Sequence, residues 1–271
     1  MIRTGTQYLD SIRDSREVYI NGERVTDLAQ HPMFKPLIDI RARIYDMQHE
    51  AATRAVLAYQ GDGEWNAVAN KLPRTQEDWW LKRRATDTIL EAIGGVVTRV
   101  GDETVGEMWS LFDGRDVLNE VDPQFSANIR RHIEAVLRSD PFHVSANTDP
   151  KGDRSKSPQE QDPDMLLHVV KETDAGIAVR GAKYETAAAY ANQAFTKPTI
   201  ANWGSAALSE YAVGFICDLG SANLKFICRT GFAGRAPAAD YPLANRFDEV
   251  DALVIFDDVL TALEAGRCPL S

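Results

Sequence analysis

Hydrophobic periodicity changes once along this chain, near residue 140, and that change limits the possible folds more than any other feature. Before it, apolar residues recur at helical spacing. In 34–57 they are Phe34, Leu37, Ile38, Ile44, Met47 and Ala51, with Pro32 just ahead as a tolerated first-turn proline. In 76–98 they are Trp80, Ile89, Leu90 and Ile93, and Thr75 with Asp78 has the spacing of a capping box. In 122–138 they are Phe125, Ile129, Ile133, Val136 and Leu137; Asp122 and Pro123 open this helix and Pro141 follows it closely. Beyond residue 140 the runs are short and β-branched. LLHVVKET and GIAVRGAKYET flank an Asp-Ala-Gly break, AVGFICDL and NLKFICRT flank Gly-Ser-Ala, and DALVIFDDV is a further strand. The sequence therefore reads as α+β, with a helical domain over 1–140 and a β domain over 141–271.

The two parts are joined by SDPFHVSANTDPKGDRSKS (139–157), a polar segment with one histidine and two prolines. Read by itself it is a solvated linker, and Arg154 an exposed loop charge. With 271 residues the chain is long enough for one large domain or two small ones. The net charge of −10 argues against a nucleic-acid or anionic-membrane partner. No apolar run approaches the roughly 20 residues that span a bilayer, and the first residues lack a signal-peptide core, which predicts a cytoplasmic location. Cys217 and Cys228 sit in apolar runs and read as reduced core thiols; with Cys268 the count is odd. The five histidines show no metal-ligand spacing, so no metal site is expected.

Three collinear stretches carry a resemblance: REVYINGERVTDLAQHPMF (16–34), HVVKETDAGIAVRGAK (168–183) and DYPLANRFDEVDALVIFDDVL (240–260). Together they resemble the oxygenase components of two-component flavin hydroxylases, the 4-hydroxyphenylacetate 3-monooxygenase family, over roughly residues 7–260. Chlorophenol monooxygenases belong to the same family, and 4-hydroxybutyryl-CoA dehydratase shares its fold more distantly. The resemblance implies an acyl-CoA-dehydrogenase-like architecture: N-terminal helices, a β-barrel, then a C-terminal helical bundle. It implies FAD as cofactor, delivered as FADH2 by a separate flavin reductase, with a phenolic substrate and O2. The implied reaction is aromatic hydroxylation through a flavin C4a-hydroperoxide, in a homo-oligomer.

The resemblance also gives the 139–157 loop a role, as a lining of the flavin. Lys151, Gly152, Asp153 and Arg154 fall on the family's flavin loop, where an arginine fork suits a pyrophosphate. Ser145, Ala146 and Asn147 would lie nearer the ring. Thr186 and Thr196 would bond flavin oxygens, or are hydroxyls on strand surfaces. The family's phenol site pairs an arginine and a tyrosine four residues apart with a loop histidine. Here those positions read Arg99 and Glu103, and the histidine falls on Ser145 or, with a small gap, on His143.

Three departures follow. Glu103 in place of tyrosine disfavours a phenolate and admits a neutral or amine-bearing phenol; alternatively Arg99 and Glu103 form only a helical ion pair, worth about 0.3–0.5 kcal/mol. Cysteines are absent from both positions, which excludes an iron–sulfur dehydratase. From Thr261 onward the sequence leaves the family pattern, and the bundle that builds the family's oligomer is expected to be missing. A non-catalytic flavin- or partner-binding fragment is therefore the alternative to a hydroxylase. An acyl-thioester dehydrogenase is a third reading, weakened by the loss of the bundle that would carry its carboxylate.

Overall fold

The structure, a computed structural model, describes residues 1–95, 103–153, 155–199, 205–231 and 237–262. Arg99 and Arg154 lie outside these residues, as do the side chain of Glu103 and Cys268.

The helical first half begins with α1 (Gly5–Ser11), closed by a capping box between Thr4 and Gln7. The 34–57 run forms two helices, α2 (Lys35–Met47) and α3 (Arg54–Leu57). Pro36, rather than Pro32, occupies the first turn of α2. The run breaks because the Thr53 hydroxyl takes the Met47 carbonyl at 2.5 Å, while the Gln48 amide turns inward to Asp140. A small hairpin follows, β3 (Ala58–Gly61) with β4 (Glu64–Ala67). The Thr75–Asp78 box opens α4 (Gln76–Ile93) as its spacing predicts, and Gly94 ends it at φ 97°. Then come α5 (Glu103–Asp113), α6 (Arg115–Val121) and α7 (Pro123–Ser139). Asp122 caps α7 through Gln124 N, and Pro123 stands in its first turn. Asp140 ends α7 in the left-handed region at φ 46°, a place usually given to glycine. Its buried carboxylate is held there by Gln48 Nε2 at 3.0 Å, Asn70 Nδ2 at 2.7 Å and the Arg3 amide at 3.2 Å.

Besides β3 and β4, two more strands lie in the half that reads as helical. β1 (Glu17–Ile20) and β2 (Glu23–Val25) are antiparallel, joined by Asn21 at φ 53° and Gly22 at φ 80°. The remaining strands are β5 (His143–Ala146), β6 (His168–Thr173), β7 (Gly176–Thr186), β8 (Gln193–Thr196), β9 (Phe215–Asp218), β10 (Leu224–Cys228) and β11 (Asp251–Ala262). A six-stranded sheet runs β2-β1-β10-β11-β7-β6, and a three-stranded sheet runs β5-β8-β9. β1 pairs with β10 in parallel, so the first residues of the chain supply an edge to a sheet made mostly by the last. AVGFICDL and NLKFICRT, neighbours in sequence, separate into different sheets.

The closed barrel expected for the second half does not form among the described residues. Its strands divide into the two sheets, which meet through the isolated Thr148–Tyr184 bridge, while β2 and β6 remain the free edges of the larger one. The main core lies between these sheets and the first helices. Tyr8, Phe34, Ile38, Val18, Val144, Leu219, Phe226 and Phe256 all enter it. Each such side chain contributes about 1.5–3 kcal/mol when buried. Arg16 ties the first residues to it: its buried guanidinium donates to Asp14 and to the Ala189 and Ala191 carbonyls, each at 2.9 Å. Cys217 and Cys228 are buried and free, and burial pushes both thiols up to about 12. Among the described residues no helix is long and apolar enough to cross a membrane, and no group of three or more metal-binding side chains forms.

Candidate functional site

β5 carries the first residues of the 139–157 segment and has two unlike faces. Val144 and Ala146 enter the main core. Side chains alternate along a strand, so His143 and Ser145 face the other way, toward α5 and α7. That face ends at a polar cluster. Glu107 of α5 accepts from Ser145 Oγ at 3.2 Å, from Asn147 Nδ2 at 3.3 Å and from Lys197 Nζ at 2.9 Å. Lys197 follows β8, which pairs in parallel with β5 and places Ser145 beside Phe195. A carboxylate, an ammonium, a hydroxyl and an amide thus meet where two strands end and a helix crosses them. Asn147 keeps its Oδ1 buried with no partner among the described residues. Thr196 lies beside Ala146 on the opposite face, fully buried, and its Oγ1 also lacks a partner. An unsatisfied buried hydroxyl or amide oxygen costs about 1–3 kcal/mol, so such groups mark places where a ligand or water can repay that cost.

The other expected site residues are placed as follows. His143 is buried against His132 of α7, the rings 5.6 Å apart and nearly perpendicular, with no partner for either His143 nitrogen. Burial, helped by the neighbouring imidazole and Arg3, lowers His143 to about 3, and burial alone lowers His132 to about 4. Both are neutral rings. Thr186 donates to Asp251 Oδ1 at 2.7 Å, which commits its hydrogen to the sheet and not to the Ser145 cluster. Lys151, Gly152 and Asp153 are exposed and lie in no regular element. Gly152 has φ 41°, a left-handed conformation that favours glycine, and a Cβ there would lie 2.3 Å from Gln161 Oε1, the end of a flexible side chain. Asp153 accepts from the Ser155 amide at 3.0 Å and hydroxyl at 2.6 Å; these bonds hold its carboxyl below the usual range. The structure thus brings Ser145 and Asn147 together and sets His143, Thr186 and the 151–153 segment apart from them.

Glu107, Lys197, Lys183 and Asp149 escaped the sequence reading. Val105, Met108, Trp109 and Phe112 have helical spacing, a signal for α5 that the three expected helices do not include. The Glu107 carboxylate had no motif to mark it. Lys183 lies inside the GIAVRGAK run, and its burial depends on the second sheet, which no local pattern reveals.

Residues 4–264 match the family model described as 4-hydroxyphenylacetate 3-hydroxylase N terminal. The chain is 32% identical over 269 residues to the 4-hydroxyphenylacetate 3-monooxygenase oxygenase component of Thermus thermophilus, across 97% of this chain and 54% of that protein. It is 35% identical over 269 residues to the 4-nitrophenol 2-monooxygenase oxygenase component of a Rhodococcus species, across 96% of this chain and 50% of that one. A solved 4-hydroxyphenylacetate 3-monooxygenase oxygenase component, complexed with FAD and 4-hydroxyphenylacetate, superposes with a TM-score of 0.86 at 31% identity, over 97% of this chain and 54% of its own. The chain spans about half the length of the curated relatives it matches. The α+β fold expected from the resemblance is the fold of that solved relative, with the strands of the second half divided between two sheets. Agreement in sequence and in backbone along nearly the whole chain makes it a member of the 4-hydroxyphenylacetate 3-hydroxylase family, in the N-terminal part of that family's pattern.

Proposed function

We propose that the chain carries the flavin loop and part of the substrate site of an FADH2-dependent aromatic hydroxylase, the oxygenase component of a two-component system. On this reading a separate reductase delivers reduced FAD in the cytoplasm, and a phenol and O2 are the co-substrates. The observation that carries it is the family match over residues 4–264, together with a relative whose solved form holds FAD and 4-hydroxyphenylacetate. Residues 1–140 form the mainly helical portion and 141–271 the strand-rich portion that opens with the flavin loop.

The donor set fits FAD. Asn147 Oδ1 is a buried oxygen without a partner on the Ser145 side of β5, whereas the orphan Thr196 Oγ1 lies on the opposite face beside Ala146. A flat ring with N–H groups on one edge suits the Ser145–Asn147 side. Reduced FAD, when bound, supplies the oxygen-activating chemistry; the chain orients, excludes water and manages protons. Ser145 and Asn147 line the ring end. Lys151, Gly152, Asp153 and Arg154 serve the pyrophosphate end, with Arg154 as the fork. Arg99 holds the substrate oxygen, and Glu103 follows four residues on in the sequence. The Ser145 hydrogen is directed to Glu107, so toward a phenol O–H the Ser145 oxygen acts as an acceptor.

The test is to mix the full chain with chemically reduced FAD and a panel of phenols in air, and to look for ring-hydroxylated products by mass spectrometry. Hydroxylation above the free-flavin background supports the reading. Flavin binding without product for any phenol reduces the assignment to a flavin-binding unit. The Arg154→Ala chain is expected to bind reduced FAD more weakly by about 1.5–3 kcal/mol, the scale of a charged hydrogen bond.

A further inference from the structure

The two strands that frame the site, β5 and β8, end side by side, and one buried lysine from the other sheet reaches both ends. Lys183 lies on β7 of the six-stranded sheet, two pairs of residues beyond the core residue Val179 and on the same face. Its Nζ donates to the Lys197 carbonyl at 2.9 Å and the Asn147 carbonyl at 3.5 Å, the first residues after β8 and β5. It pairs with Asp149 Oδ1 at 2.5 Å, and Asp149 Oδ2 accepts from Thr199 Oγ1 at 2.6 Å. Lys183 is 3% and Asp149 14% exposed at the side chain. Both strand exits are thereby fastened to each other and to the larger sheet through a single ammonium.

We propose that Lys183 is a positioning residue: with Asp149 and Thr199 it clamps the exits of β5 and β8, and so fixes Asn147 and the 147–153 loop for the flavin. For its flavin consequence the proposal rests on the reading above; the clamp itself stands on geometry alone. A buried charge pair is a poor means of gaining stability but a stringent geometric constraint, because neither charge tolerates separation in a dry site. The carbonyls explain why lysine serves here. An ammonium offers three donors, and this one meets two carbonyls and a carboxylate. The clamp is also titratable. Desolvation holds Lys183 below the usual lysine range, against the opposing pull of Asp149. Among the described residues, Glu185 lies two residues on along the same strand, and the Lys197–Glu107 pair lies at the exit of β8.

Hydrogen exchange read by mass spectrometry on the ligand-free full chain tests the clamp directly. In Lys183→Met, and in the milder Asp149→Asn and Thr199→Val, amides of 147–153 and 197–199 are expected to exchange on the order of tenfold to a hundredfold faster, with β10 and β11 unchanged. In the native chain, protection of 147–153 corrected for intrinsic rate is expected to fall as pH rises toward the lysine range. In Lys183→Met it should be flat. Protection that is unchanged in all three variants, or lost equally across β10 and β11, overturns the proposal. Titration with reduced FAD separates the two readings. Binding weakened in proportion to loop exchange supports both. Loosened loops in the variants, with no reduced FAD bound by the native chain, leave the clamp standing and remove the flavin reading. Loosened loops with unchanged affinity overturn the positioning role.

Discussion

Ser145 and His143 share a face of β5 and meet different environments. Ser145 reaches a polar cluster at the strand's end, whereas His143 is sealed against His132 with its nitrogens unpaired. The pair makes stability depend on pH in a definite direction. Both folded values, about 3 and about 4, lie below the ordinary 6.5, so the unfolded chain takes up the protons first. Stability is full above pH 6.5 and falls as pH drops toward 4, by up to about 1.4 kcal/mol per pH unit for each ring. Urea midpoints from pH 7 to pH 5 should fall accordingly, and His143→Leu should remove about half of that slope. A slope unaltered by the substitution would place the pH dependence elsewhere. Glu103 gives a second expectation at this scale. On the proposed reading, a carboxylate four residues from Arg99 in sequence opposes an arylacetate by up to a few kcal/mol at an effective dielectric near 20. Glu103→Tyr should tighten 4-hydroxyphenylacetate relative to an amine-bearing phenol, read by ligand titration with reduced FAD present. Equal affinities in both proteins would mean that Glu103 does not face the substrate.

Among the elements, the first strands matter most, because β1 closes one side of the six-stranded sheet and Arg16 fastens the chain just before it. Arg16 is buried while its counter-ion Asp14 is exposed, so Arg16→Ala leaves two unpaired buried carbonyls rather than a buried charge. A loss of about 2–4 kcal/mol is expected in chemical denaturation, from carbonyls costing about 1–3 kcal/mol each. A loss below 1 kcal/mol would show that the N-terminal segment is not part of the cooperative core. The sequence made much of this scale legible. Thr75 and Asp78 marked the start of α4, Asp122 and Pro123 that of α7, and the Asp-Ala-Gly break separated β6 from β7. Val18 and Ile20 alternate before Asn21-Gly22, a hairpin signal that the helical reading of 1–140 does not include. What stayed hidden was non-local. Nothing within NLKFICRT announces a parallel partner about two hundred residues upstream, and nothing near Lys183 announces the carbonyls it holds. The FDDVL stretch is similar: Asp257 pairs with Lys225 and Asp258 with Arg180 beside a bulge in β11, contacts that only the folded sheet supplies. Of the site, Ser145 and Asn147 were legible through the resemblance, whereas the Glu107 that joins them was not.

At the scale of the whole molecule, two helices leave apolar side chains in solvent. Val117 and Val121 on α6 are 66% and 61% exposed, and Trp79 and Trp80 on α4 are 57% and 55% exposed. Exposed apolar surface of this kind favours association. The full chain is expected to sediment as an oligomer at micromolar concentration, and Val117→Glu with Val121→Glu should shift it toward monomer. A native chain that sediments as a monomer would show that these residues do not form a contact. Flavin binding is the claim on which the functional account turns, and an anaerobic titration of the full chain with reduced FAD measures it directly. The account expects saturable, one-to-one binding that weakens in Arg154→Ala and again when Asn147→Ala removes the buried Oδ1. Absence of saturable binding by the folded native chain, or affinity untouched by both substitutions, would contradict it.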